Sequence, residues 1–358
     1  MDLTPDQIVD LVKLTQVNLI KRGAYLNLMT DLTDFVAVRE MYKKHQKVFS
    51  GGLDWEFEAV IDHNHSARFV GLYENDGTAI NDATIKGKVS PRFVDANYAF
   101  DVREKIFQRP AIEIVNYVKL KYERMLMSYW ELLEPTLWSK PEDSNDKRTP
   151  YGVAYWITKG TDTDIQANKS GGFIGKDPVG FSEGRAGIST TTTPRWANWA
   201  AGYAEVSKED LVRKMRRAVR KTQFRSPISV KEPDVGTTGN GIYTNDNVLR
   251  ELEEILEAQN MNLGNDIASK DGKVVFKGHP VVYAPYLDED TTDPVYMLDW
   301  KTLALGMMDG WQQHVSAPQV VAGKHNVRAV FLDAGVNMIC TNLRKNAVFH
   351  KVDASLLK

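Results

Sequence analysis

Between Trp55 and Phe100 the apolar residues fall into a two-residue period on either side of a polar stretch, and this pattern limits how the chain can fold. Trp55, Phe57, Ala59 and Ile61 alternate with Glu56, Glu58 and Val60; Phe69, Gly71 and Tyr73 follow, and residues 89–100 resume a strand-like pattern. Side chains on a strand point alternately to its two faces, so such runs bury one face and solvate the other. Asn75-Asp76-Gly77 is a turn signal, and residues 74–88 are polar, with few apolar anchors. The pattern describes a long two-stranded projection whose soft tip carries Asn75, Asp76, Gly77, Lys86 and Lys88. Two strands with nothing to cover them are marginal in water, so the projection needs a partner surface.

Elsewhere the period is mostly helical. Thr4-Pro5-Asp6-Gln7 is a helix start, with Thr4 as cap, Pro5 at the first helical position and Gln7 completing a capping box. An apolar stripe of Ile8, Leu11, Val12 and Leu19 follows, and a second short helix is expected over about 33–47. The longest helical pattern covers 111–133, opening after Pro110 and closing before Pro135. Tyr151, Val153, Tyr155 and Ile157 alternate as in a strand, and residues 159–195, rich in Gly, Thr and Asp, read as an extended loop or hairpin. Further strands are expected near 274–276, 281–284, 295–298, 327–331 and 336–341, with one more over 346–352. Helices and strands in segregated runs make the class α+β.

Composition narrows the function. The 358 residues include 45 Lys and Arg against 47 Asp and Glu, a formal charge of −2. A dedicated nucleic-acid binder usually has a strong basic excess, so that class is disfavoured, although a locally basic face is compatible. The single cysteine, Cys340, excludes an intrachain disulfide and a Cys-based metal site. No uninterrupted apolar run approaches the ~18 residues of a membrane span. Asp2, Asp6 and Asp10 carry the wrong charge for the start of a signal peptide. The expectation is a soluble chain folded in the cytosol, with no membrane partner.

Sites of chemistry are sparse. Gly171-Gly172-Phe173-Ile174-Gly175-Lys176-Asp177 invites comparison with a phosphate-cradling loop, but Ser170 and Asp177 stand where that motif needs Gly and a hydroxyl residue. Asp62, His63 and His65 supply too few ligands for a metal. The acids Asp288, Glu289, Asp290 and Asp293 read as a solvated loop, and Cys340 as a core thiol. No catalytic, cofactor-binding or metal residue is assigned, and the chain is not expected to be an enzyme.

Two helices carry opposite charge. The helix expected over 207–222, with Ser207 as its cap and Asp210 at the third position, holds Arg213, Lys214, Arg216, Arg217, Arg220 and Lys221. The helix expected over 244–261 holds Glu251, Glu253, Glu254 and Glu257. A solvated face is the plain reading of the first; the sharper ones are a surface for a neighbouring subunit or for DNA. The matching acidic face favours subunit contact, because complementary charge fixes repeated head-to-tail register.

The order of these segments, with several local signatures, resembles the major capsid protein of tailed double-stranded-DNA bacteriophages. The carrying stretches are Gly71-Leu72-Tyr73, Asn97-Tyr98-Ala99-Phe100-Asp101, Leu211-Val212-Arg213-Lys214-Met215, Phe224-Arg225-Ser226-Pro227, Lys277-Gly278-His279-Pro280-Val281, Val295-Tyr296-Met297-Leu298-Asp299-Trp300, and 340–348. The resemblance implies an N-terminal arm (1–53), an extended β-hairpin loop (54–100), a peripheral domain with a spine helix (101–205), an axial domain (206–330) and a return to the peripheral domain (331–358). It further implies hexamers and pentamers closing an icosahedral shell around packaged double-stranded DNA, in a virion assembled in the host cytoplasm. The implied partners are a separate scaffolding protein, a portal, decoration proteins, and DNA contacted without sequence preference. Some members of that family join subunits through Lys–Asn isopeptide bonds; Lys86 or Lys88 with Asn342 or Asn346 have the right residue types, without a motif that matches the pair. An encapsulin-like compartment shell is the second reading, and a cytosolic α+β hydrolase is the reading from another class.

Overall fold

The computed structural model describes residues 35–42, 46–60, 69, 84–103, 111–224, 240–260 and 274–357. A seven-stranded sheet organises it, in the order β5 (Gly172–Gly175), β6 (Asn198–Tyr203), β15 (Ala347–Lys351), β10 (Val295–Asp299), β7 (Asn240–Thr244), β9 (His279–Tyr283) and β8 (Val275–Phe276). Alternation along its strands sends side chains into two separate cores. Ala200, Tyr243, Tyr296, Leu298 and Val348 join the larger core, whereas Trp199, Ala201, Tyr203, Ile242, Val295, Met297 and Phe349 join a smaller one.

The helix α1 (Ala111–Trp138) belongs to the larger core. Val118, Tyr122, Met125, Leu126, Tyr129, Leu133 and Leu137 are buried at three- and four-residue steps, the spacing of one helical face. The helix was expected to stop before Pro135, yet it continues to Trp138. Proline removes one main-chain donor. The extra turn is held by packing, since Leu137 and Trp138 are buried and Trp138 lies 5.5 Å from Tyr243 and 6.1 Å from Tyr296 on the sheet. The Thr136 hydroxyl donates to the Leu132 and Leu133 carbonyls at 3.2 and 2.9 Å. Past the helix, a Cβ on Gly152 would lie 2.2 Å from the Ser139 oxygen and 2.5 Å from that of Thr136, so only glycine admits this approach.

Two short helices follow, α2 (Val153–Trp156) and α3 (Asp162–Ala167). The first replaces the strand expected from Tyr151 to Ile157. Val153, Tyr155, Trp156 and Ile157 are all buried, so the spacing of large residues there does not mark one face against solvent.

The second sheet is built around β14 (Lys324–Cys340), one unbroken strand where two were expected. It pairs with β4 (Arg92–Asp101), β11 (Leu303–Met308), β12 (His314–Val315) and β13 (Gln319–Val321), and β1 (Gln46–Phe49) adds to β11 in parallel. Two expectations are corrected here. The helix expected over 33–47 is a helical turn ending at Tyr42, after which Gln46–Phe49 is strand. Residues 92–101 do not form the second strand of the projection; they run antiparallel to β14, from Arg92 opposite Val336 to Asp101 opposite Val327. The expected boundary at 330 falls inside β14, and β15 lies in the same sheet as β7, β9 and β10.

Candidate functional site

Of the expected projection, the structure describes β2 (Trp55–Val60) paired antiparallel with β3 (Thr84–Val89). Its inner face is anchored. Trp55 is buried and stacks on Phe49 at 4.7 Å, and Phe57 lies 6.4 Å from Trp156 and 6.1 Å from Trp196. Gly87 faces Phe57, where a Cβ would meet the ring at 2.4 Å. The Lys88 N–H donates to the Ala186 carbonyl at 3.0 Å, tying β3 to the body. The outer face carries cross-strand charge pairs, Lys88–Glu56 at 3.2 Å and Lys86–Glu58 at 3.8 Å. Lys86 and Lys88 therefore sit at the root of the hairpin, not at its tip. The sequence view missed this because it counted few anchors on 84–88, and the cover that Phe57 gives Gly87 is a cross-strand contact. Asn75, Asp76 and Gly77 lie outside the described residues, as do Asp62, His63 and His65 and the helix expected from Thr4.

The smaller core is covered by α4 (Leu211–Thr222) and α5 (Asp246–Asn260). Leu211, Met215 and Ala218 of α4, and Val248 and Leu252 of α5, are the buried contacts. The start of α4 is later than expected. Ser207 Oγ accepts from the Asp210 N–H at 3.1 Å in the preceding turn, and the Asp210 carboxylate accepts from the Ala204 and Glu205 N–H groups at 2.7 and 3.2 Å.

The charged residues of α4 divide sharply. Arg213, Arg216, Arg217, Arg220 and Lys221 are exposed. Lys214 is not part of that face: it is 9% exposed and its Nζ donates to the Gly202 carbonyl at 2.6 Å and pairs with Asp210 at 2.5 Å. Burying a lysine requires such partners. Arg213, Arg217 and Arg220, spaced i, i+4, i+7, share one flank with Lys169 and line a cleft of ≈530 Å³, whose wall also includes Glu209, Asp210 and Lys214. Arg216 faces the other way, into a groove of ≈310 Å³ floored by Met215, Leu252, Val274 and Phe276 between the two helices. On α5, Asp246, Glu253 and Glu254 are exposed with Arg250, Glu251 is half-buried, and Glu257 lies on the helix with its side chain outside the described set. Asp288, on the neighbouring turn Pro285–Glu289, accepts from the Asp246 N–H at 2.9 Å at the start of α5.

Other polar groups are consumed by the fold. Arg185 is fully buried; its Nη2 donates to Thr158 Oγ1 at 2.5 Å, to the Gly175 carbonyl at 2.9 Å and to the Lys176 carbonyl. Burial pulls its guanidinium pKa down to about 10. Asp177 accepts from the Ser189 hydroxyl at 2.8 Å and the Thr190 N–H at 3.0 Å. The segment compared with a phosphate loop is thus partly strand β5 and partly a polar brace for the following turns. Asn346 is buried: its Oδ1 accepts from the Asp299 N–H at 2.8 Å and its Nδ2 donates to the Asn342 carbonyl at 3.1 Å. It is a corner brace, so of the two candidate crosslink amides only Asn342 is exposed. Burial pushes the Cys340 thiol up to about 12. Among the described residues there is no cluster able to hold a metal, and no helix is long and apolar enough to cross a membrane.

No protein-family model matches the chain, and no curated protein matches it. Solved structures do. The capsid of cyanophage A-1(L) superposes with a TM-score of 0.56 at 12% identity, covering 86% of this chain and 90% of that one. The capsid of a native GTA particle gives 0.56 at 9% identity over 89% and 91% of the two chains. That of an empty GTA particle gives 0.52 at 8% over 87% and 96%. With near-complete coverage in both directions, this chain has the fold of tailed-phage capsid proteins.

Proposed function

We propose that the protein is the major capsid protein of a tailed phage, assembling through hexamers and pentamers into an icosahedral shell around double-stranded DNA. The observation that carries this reading is whole-chain likeness to shell proteins, 86% of this chain against 90% of the cyanophage capsid. The anchored hairpin supports it: β2 and β3 leave the body with a charged outer face, a form suited to lying across a neighbour. The chain acts structurally and not as an enzyme, a reading supported by buried Arg185 and Asn346 and half-buried Asp177, each of which bonds to main chain. It resides in the virion after assembly in the host cytoplasm, with a separate scaffolding protein, a portal and decoration proteins as partners, and touches DNA without reading sequence.

The test is negative-stain microscopy of the full chain, expressed alone and with its neighbouring structural proteins. Capsomers or closed shells are expected; monodisperse 40 kDa particles under every condition would remove the reading. Packaged DNA then separates a phage shell from a cellular compartment.

A further inference from the structure

We propose that the cationic flank of α4 and the acidic side of α5 are the two halves of a single contact, each meeting the other helix on an adjacent copy of this chain within a ring. The inference rests on the shell reading and names the surface that closes the capsomer.

Placement is the first argument. The two helices lie on the same face of the seven-stranded sheet but over opposite parts of it: α4 packs on β6 and β15, α5 on β9 and the turn Pro285–Glu289. From β6 to β9 there are four strand spacings, roughly 19 Å at ~4.8 Å each. The stripe of Arg213, Arg217 and Arg220 is on the flank turned away from α5, since these residues line the cleft with Lys169 while Val212, Met215 and Arg216 line the groove shared with α5. The acids Asp246, Glu253 and Glu254 are exposed on α5, whose Leu252 and Ile255 line the shared groove. One subunit thus offers opposite charges on opposite sides of one layer.

Symmetry is the second. A two-fold contact through α4 would set Arg213, Arg217 and Arg220 against their own copies, and like charges in apposition repel. A head-to-tail contact sets cation against acid at every step, and such contacts close into rings.

Charge distribution also decides against DNA as the occupant. A duplex laid across this layer would meet Glu253 and Glu254 as well as the arginines, because both helices cover the same face. Phosphate binding needs a face of one sign.

The test uses full-length chains and charge reversal. One variant carries Arg213→Glu with Arg217→Glu; a second carries Glu253→Arg with Glu254→Arg; a third carries all four. Far-UV circular dichroism and thermal melting establish that each is folded. Expected is at least a tenfold loss of particle yield for each one-sided variant, and recovery in the four-fold variant, whose charges are exchanged but complementary. Mixing the two one-sided variants gives a sharper outcome. Alternating copies are complementary in a six-membered ring but cannot alternate around five, so the mixture yields hexamers or tubes without closed shells. Wild-type yield from either one-sided variant overturns the proposal. Wild-type shells with reduced DNA from the α4 variant overturn it in favour of a nucleic-acid face. Failure of the unaltered chain to form rings or shells removes the shell reading itself, a result distinct from the others.

Discussion

The end of α1 and the outer face of α4 use charge in opposite ways. At the first, the Glu134 carboxylate is 5% exposed and accepts from the Ala37 and Val38 N–H groups at 3.0 Å each, and from Trp138 Nε1 at 2.9 Å. The first two bonds join residues almost a hundred positions apart and cap the helical turn that ends at Tyr42. Burial pushes the carboxyl pKa up, against the pull of the three donors. On α4, Arg213, Arg217 and Arg220 stand in solvent, and among the described residues the ion pair of that helix belongs to Lys214 instead. A charge saturated by its own chain contributes to stability; one left exposed in a stripe is available to a partner. The same helix shows both in adjacent residues, Arg213 and Lys214.

Glu134→Ala gives the largest expected effect on this contrast. Removing the carboxylate leaves three buried donors without their acceptor, at a cost of about 3 kcal/mol or more, whereas Arg217→Ala is expected within about 0.5 kcal/mol of wild type. Urea unfolding of unassembled protein measures both, and equal losses would erase the distinction.

A buried titratable group tests the same idea by pH. His350 is 5% exposed, and burial, with Lys159 adding to it, pulls its imidazole pKa from 6.5 down to about 4. The unfolded chain therefore takes up a proton that the fold refuses. Its contribution is complete above about pH 6.5 and is lost as pH falls towards 4, by about 3 kcal/mol. Unfolding free energies of wild type and His350→Gln across this range should converge at acid pH; parallel curves would show that the histidine is not held neutral.

The adjacent pair sharpens it further. Lys214→Met removes the ion partner of Asp210 and a donor to the Gly202 carbonyl and should cost about 2 kcal/mol, while Arg213→Met should leave unfolding unchanged and lower assembly. Lastly, a double-mutant cycle on Glu56 and Lys88 should give less than about 1 kcal/mol, shrinking in high salt, because both are solvent-exposed. A larger coupling would move the hairpin root from the surface class to the buried one.

Legibility followed how local the signal was. The periods of three to four in α1 and of two in β2 were readable because each pattern is set by a single burial face. The α4 cations were readable as residue types, but Lys214 was counted with them, since nothing in the sequence says that Gly202 will present its carbonyl there. Strands β6 and β7 were missed: residues 198–203 are buried throughout, so no alternation marks them. The strand expected at 151–157 failed for the same reason. Pro135 was taken as a stop because the packing of Trp138 on Tyr243 and Tyr296 is invisible in one dimension.

By itself, the sequence determined the α+β class, the segment order, the strand at the root of the projection and the opposite charges of two helices, all of which follow from local period and composition. Tertiary structure alone decided that β4 pairs with β14 rather than with the projection, that Lys86 and Lys88 lie at the root, and that α4 and α5 cover opposite parts of one sheet face. Strand partners are chosen by which surfaces bury each other across a hundred residues or more, and no window along the chain contains both halves of that choice.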